Sequence, residues 1–307
     1  MNLALTVNCW MDEELMFAQQ FGADQVFAEA IPKDGSGLWD ADVLRSMRNR
    51  VEKAGLELAG INGLPFPLQQ TRLGETGRDA EISAICRFIE NAGTAGVPLL
   101  CYSWAQTDQD NPTRLPGGRG GALVASAEAP NRGGAFPTQE WHPLLYFLEQ
   151  VLPVAEKAGV RIAYCPPDVF LSSSSGQDTL NSIEGIKHLM AATASPNHGL
   201  DFRFSVFAGA SEADVVEAAR FFGSNGKLFL VTADNLCSSS PVTEAFIDEG
   251  SIDSVSVLRT CHESGFRGTL RPGRQPVMTD DTEWGHKAQA LAVGYLRALL
   301  QGLNTLK

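Results

Sequence analysis

The sequence predicts an α/β protein: a single (β/α)8 barrel domain spanning residues 1–307. Three observations predict it. Eight short apolar runs alternate with longer segments of helical period, which is the pattern of parallel βα units. The chain has 307 residues, 44% of them apolar, a size that suits a barrel core of about 250 residues with insertions. The first apolar run is followed by VNCWMDEE. That stretch lacks the glycine-rich turn with which a doubly wound sheet, the alternative fold, cradles a phosphate.

The strands are expected at Leu3–Val7, Gln25–Ala28, Glu57–Ile61, Pro98–Tyr102, Arg161–Tyr164, Leu200–Ser205, Lys227–Val231 and Thr269–Arg271. Between them, DADVLRSMRNRVEKAG starts on a capping Asp40 and closes on Gly55, the usual start and stop of a helix. DAEISAICRFIENAGTAG places Ile82, Ile85, Phe88 and Ile89 on one helical face. SEADVVEAARFFG opens with Ser211 and Glu212 and ends at Gly223, and GHKAQALAVGYLRALLQGL is apolar along most of its length.

A formal net charge of −12 argues against nucleic acid or an acidic membrane as a general partner, because a broad basic face is missing. The start of the chain has neither a basic opening nor a long apolar run, so a cytoplasmic protein is expected. The six cysteines are scattered without a CxxC pair, which reads as reduced and mostly buried thiols.

A barrel keeps its chemistry at the C-terminal ends of its strands, so the loops there are ranked by length. The longest is Ser103–Gln139, rich in Gly, Pro and Arg and expected as a loop, a lid or an arm for a partner. Next come CPPDVFLSSSSGQD and TADNLCSSSPVTEAFIDEGS. Their serine runs lie inside βα units. No GxSxG elbow accompanies them, so a serine hydrolase is rejected.

LGETGRDAEISAICRFIENAGTAGVPLLCYSW, LPGGRGGAL, EAFIDEGSIDSVSVLRTCHESGFRGTLRPGRQPVM and ALAVGYLRALLQGL follow one another in order. In this the chain resembles the mannonate dehydratase family, xylose-isomerase-like TIM barrels, from about residue 35 to the C-terminus. The resemblance implies loss of water from D-mannonate with a divalent metal, usually Mn2+, held at four strand ends. Carried over, the ligand positions read Cys165 in CPPD for a histidine, Arg203 in LDFRFSVF for a cysteine, Thr232 in VTADN for a histidine and Gly273 for an aspartate. Arg274 stands where the family has a catalytic histidine, and Trp284 where it has a tyrosine. Cys165 is the only carried-over position able to ligate. No cofactor is therefore expected, although Mn2+ is what the family implies.

A cation has gone and guanidiniums have entered. Arginine stays charged and grips carboxylates with paired hydrogen bonds, so Arg203, Arg271 and Arg274 are candidate ligands for a substrate carboxylate. The other reading is that Arg203 pairs structurally with Asp201, Asp234 or another carboxylate. Thr232, Asp168, Tyr102 and Trp104 complete the candidate binding wall. Ordinary packing is the alternative for the two aromatics. A metal-free lyase or isomerase needs a proton carrier. The candidates, besides Arg274, are Asp234, Glu29, His142 and His286, the last two expected near the top face. His188, His198 and His262 are expected toward the bottom. The expected function is a carbon–oxygen lyase or isomerase acting on a sugar acid. A non-catalytic sugar-acid-binding or partner-binding barrel and a metal enzyme with relocated ligands are the alternatives. A small-molecule carboxylate is the expected partner, and the family implies a homo-oligomer.

Overall fold

The computed structural model describes residues 1–32, 39–104, 112–127, 138–170, 182–208, 212–239 and 241–305. Its strands are β1 (Asn2–Val7), β2 (Gln25–Glu29), β3 (Glu57–Asn62), β4 (Leu99–Tyr102), β5 (Arg114–Pro116), β6 (Leu123–Ala127), β7 (Arg161–Tyr164), β8 (His198–Arg203), β9 (Leu228–Ala233), β10 (Asn235–Cys237), β11 (Val242–Ala245) and β12 (Thr269–Pro272). The helices are α1 (Asp12–Phe21), α2 (Ala41–Lys53), α3 (Gln69–Leu73), α4 (Arg78–Ala95), α5 (Thr138–Ala158), α6 (Ile183–Ala192), α7 (Phe204–Phe207), α8 (Glu212–Ser224), α9 (Ser254–Glu263) and α10 (His286–Thr305).

Eight strands close a barrel in the order β1-β12-β9-β8-β7-β4-β3-β2. Every pairing is parallel, and β1 meets β12 through Asn2↔Thr269. Strands buried on both faces can be apolar along nearly their whole length, as LFLVTA in β9 is apart from Thr232. The helix signals hold where they are described. The Asp40 carboxylate accepts from the amides of Asp42 and Val43 at 3.0 and 2.8 Å. Ile82, Ile85, Phe88 and Ile89 form the buried face of α4. No described helix is long and apolar enough to cross a membrane. Ser211, residues 105–111 and 128–137 of the long loop, and the serine run Ser172–Ser175 lie outside the described residues.

Two expectations are corrected. The strand expected at Leu200–Ser205 begins earlier, at His198, and stops at Arg203, after which α7 starts. The stretch expected as one long loop instead supplies β5 and β6, and the β9–α9 connection supplies β10 and β11. Together they form a four-stranded antiparallel sheet, β10-β11-β6-β5, over the barrel mouth. Its pairs join residues far apart in the chain, such as Val242 with Ala127. Leu123 also bridges to Val277, beyond β12.

Candidate active site

A cavity of about 630 Å3 opens at the C-terminal end of the barrel. Thr6, Glu29, Asn62, Cys101, Arg203, Thr232 and Arg271 reach it from strands, and Cys165 from just past β7. Asp168, Arg274, Glu283 and Trp284 add loop side chains, and Arg114 comes from the antiparallel sheet.

The floor is organised by Arg271, only 4% exposed. Its Nη2 donates to Asp201 Oδ2 at 2.8 Å and its Nε to Thr232 Oγ1 at 3.0 Å. Its Nη1 donates to Thr6 Oγ1 and Asn62 Oδ1, each at 2.9 Å. The guanidinium also lies 5.1 Å from the Phe27 ring centroid. The Thr232 hydroxyl in turn donates to Asp201 Oδ1 at 2.6 Å. Four strands besides β12 are thus tied to one buried cation whose charge Asp201 balances.

Above the floor, Asp168 Oδ2 accepts from Arg274 Nε at 2.7 Å and from Arg203 Nη1 at 3.2 Å. Burial would raise the Asp168 pKa, but the two guanidiniums outweigh burial and hold it below its ordinary value. Arg203 also lies 3.7 Å from Asp234 Oδ2. Asp234 accepts from the Ser205 amide at 2.9 Å and the Ser205 hydroxyl at 2.7 Å. Burial pushes its pKa up to about 6, with Arg203 pulling the other way. The pairing of Arg203 with carboxylates is therefore real, but the partners are Asp168 and Asp234, while Asp201 belongs to Arg271.

A carboxyl whose folded pKa is raised favours folding most when protonated. Its contribution is full below the unfolded value near 3.8 and is lost as pH rises to about 6. Asp234→Asn should remove that loss. The variant-minus-wild-type difference in unfolding free energy should grow between those pH values by up to about 3 kcal/mol. Urea denaturation at stepped pH measures it, and a pH-independent difference would refute the assignment.

The divalent metal implied by the resemblance does not fit the residues at its positions. Thr232 is committed to Asp201 and Arg271, Arg203 is a cation, and Gly273 has no donor. A Cβ at position 273 would lie 2.9 Å from Asp234 Cβ and 3.0 Å from Thr232 Cγ2, so the space an aspartate there would need is filled. Among the described residues no three His, Cys, Asp or Glu side chains converge.

The sequence candidates separate clearly. Glu29, the last residue of β2, borders the cavity half-buried, and burial raises its pKa. Its carboxylate makes no hydrogen bond or ion pair among the described residues. His142 is instead exposed on α5. His286 stacks on Phe17 at 5.4 Å, with its Nδ1 2.7 Å from Thr282 Oγ1, outside the cavity. No described histidine borders the cavity. Tyr102 and Trp104 take the packing alternative: each is 1% exposed and packs on Phe147. Tyr102 touches the cavity, but its hydroxyl is held 2.9 Å from His198 Nε2. The Thr193 hydroxyl donates to Leu189 O, so His198 Nδ1–H must donate to Thr193, leaving Nε2 to accept from Tyr102. Burial and Lys227 lower the His198 pKa to about 3, so this ring is neutral. Trp284 lines the cavity and donates to Thr6 O at 3.3 Å.

Sequence reasoning missed Thr6, Asn62 and Arg114. Thr6 and Asn62 were findable as strand-end polar residues. Arg114 was not. It grips the buried Glu244 through Nε at 3.2 Å and Nη2 at 3.0 Å, a contact across 130 residues.

Comparison with known proteins gives the family and the fold. The model of the family described as D-mannonate dehydratase (UxuA) matches residues 10–115 and 137–307. Mannonate dehydratase 2 of Halalkalibacterium halodurans is 24% identical, covering 88% of this chain and 89% of its own. The mannonate dehydratase of Thermotoga maritima is 24% identical, covering 88% of each. The crystal structure of mannonate dehydratase from Streptococcus suis serotype 2 superposes with a TM-score of 0.79 at 20% identity, over 99% of this chain and 93% of that one. A D-psicose 3-epimerase from Clostridium cellulolyticum H10 shares the fold at a TM-score of 0.68 and 12% identity, over 98% and 99%. With the family model spanning nearly the whole barrel, this chain belongs to the D-mannonate dehydratase family, a family of hydro-lyase enzymes.

Proposed function

We propose that this chain is a carbon–oxygen lyase acting on a sugar acid or a related hydroxy acid. Guanidiniums at the barrel mouth stand in for the divalent cation. The observation that carries this reading is the convergence of Arg203 and Arg274 on one oxygen of Asp168 at the cavity wall. Two cations share that one carboxylate. Arg274 engages it through Nε alone, and its terminal nitrogens make no other hydrogen bond among the described residues. They are left to bind a substrate carboxylate.

The chemistry follows from that placement. Removing the proton on the carbon next to the carboxylate pushes charge into the carboxylate, where fixed guanidiniums stabilise it. Glu29, without a partner among the described residues and with its pKa raised by burial, takes the proton. The C–O bond of the neighbouring hydroxyl then breaks, the protonated Glu29 gives its proton to the departing oxygen so that it leaves as water, and the enol product relaxes to a 2-keto acid. An isomerisation would share the first step. Asp168, rather than touching substrate, holds the two arginines in place.

D-Mannonate is the first substrate to test, because the relatives are named for it. Turnover of a sugar-acid panel is expected to survive EDTA and to gain nothing from Mn2+. Turnover that depends strictly on Mn2+ would overturn the metal-independent reading, and binding without turnover on every acid would favour a binding barrel. Arg274→Ala should weaken carboxylate binding by about 10- to 100-fold, with Arg274→Lys retaining part of it. Calorimetric titration would show this. Unchanged affinity in both variants would remove Arg274 from the site. The same reading expects a cytoplasmic homo-oligomer, which light scattering on the purified chain can check for assembly.

A further inference from the structure

One cationic side chain of the cavity has no part yet in this chemistry. Arg114, on β5, stands directly opposite Ala125 on β6, so both side chains lie on one face of the antiparallel sheet. The next residue, Leu115, turns to the other face and is 67% exposed. The small Ala125 leaves Arg114 room to reach past β6 to Glu244 on β11. There Nε and Nη2 grip the carboxylate at 3.2 and 3.0 Å, and the Ala125 amide donates to the same group at 3.1 Å. Nη2 also donates to Gln275 O at 3.4 Å, beside Arg274 in the chain. The guanidinium is therefore held in place before any ligand arrives. Both N–H groups of its Nη1 make no hydrogen bond among the described residues. The Arg114 side chain borders the cavity and is 21% exposed, whereas that of Glu244 is 1% exposed. A buried ion pair contributes little stability over an apolar pair of the same size, so a clasp alone does not call for one at a cavity wall.

We infer that Arg114 sets specificity for the far end of the substrate: its Nη1 donates to a hydroxyl beyond the third carbon of a sugar acid whose carboxylate lies at Arg274. This rests on the carboxylate reading above and narrows it. The cavity takes a monoacid with a polyol chain in preference to a diacid of the same length. Charge balance makes the distinction. Arg274 has only Asp168 for a carboxylate, and shares it with Arg203. Arg114 has Glu244 to itself, gripped through two nitrogens. Its free N–H groups thus offer directed hydrogen bonds with most of the charge already balanced, which suits a neutral hydroxyl. Glu29 and Glu283 border the same cavity without an ion pair among the described residues. A second anion would meet their negative charge.

Calorimetric titration of the full chain tests this with D-mannonate, with D-mannarate, its diacid of equal length, and with D-glycerate, which ends at the third carbon. The wild type should bind D-mannonate about 10-fold more tightly than either of the others. Arg114→Leu combined with Glu244→Gln removes the guanidinium without leaving a buried carboxylate unpaired. That double variant should bind D-glycerate as the wild type does and D-mannonate no better than D-glycerate. Glu244→Gln alone keeps the guanidinium but removes its balancing charge, so D-mannarate should then bind at least as tightly as D-mannonate. A clasp with no ligand would weaken all three acids together, and that outcome overturns the inference. So does a wild type that binds D-glycerate or D-mannarate as tightly as D-mannonate, a comparison that needs no variant to fold. Binding in the expected order without turnover would sink the lyase reading and leave the role of Arg114 standing. A wild type that binds none of these acids removes the carboxylate reading and this inference with it.

Discussion

Arg271→Met is expected to cost about 3–5 kcal/mol of unfolding free energy, the loss typical when one partner of a buried ion pair is removed. The expectation rests on what remains. Asp201, 1% exposed, would keep its bond from Thr232 but lose the guanidinium that hydrogen-bonds to it. Thr6 and Asn62 would lose their shared donor at the ends of β1 and β3. Urea denaturation of the single variant should show the full loss, and Asp201→Asn combined with Arg271→Met should recover a large part of it. The recovery separates an uncompensated buried charge from a simple packing defect. If the double variant is as unstable as the single one, Arg271 acts through its packing on Phe27 rather than through its charge.

Glu29→Gln is expected to lower kcat by about 10²- to 10⁴-fold, the usual worth of a positioned general base, with little change in KM. Glutamine keeps the shape but cannot carry the proton. Because burial raises the Glu29 pKa, the acidic limb of the wild-type pH–rate profile should lie above the ordinary glutamate value, since the base must be ionised to act. That limb should disappear in any residual activity of the variant. A variant with unaltered kcat would leave Glu29 as a polar lining residue and send the search for the proton carrier to Glu283.

The contrast between neighbours shows why parts of the site were legible and others not. Glu29 could be read as a carboxylate at a strand end, and in a barrel that address alone suggests the mouth. Cys101 and Tyr102 share the same kind of address, yet Cys101 enters the barrel interior and Tyr102 faces α5. In a parallel barrel both sides of a strand are apolar, so the two-residue alternation leaves no mark in the sequence. The histidines failed for a related reason. His286 and His142 begin or nearly begin helices close to the mouth, but a helix turns successive side chains by about 100°. Only packing decides which one faces inward, and here Phe17 captures His286.

By itself, the sequence determined the alternation of strands and helices, the closed parallel barrel and which side chains, Arg203, Thr232 and Gly273, stand where the resemblance implies metal ligands. These depend on local periodicity, on capping and on which atoms a side chain carries. Only the tertiary structure decided how the arginines are spent. Arg271 is neutralised by Asp201 on the floor, Arg203 and Arg274 share Asp168 at the wall, and Arg114 is bound to Glu244 under the antiparallel sheet. Each pair joins residues between 35 and 130 positions apart. Electrostatic partnership is a matter of distance and burial, and barrel closure sets both.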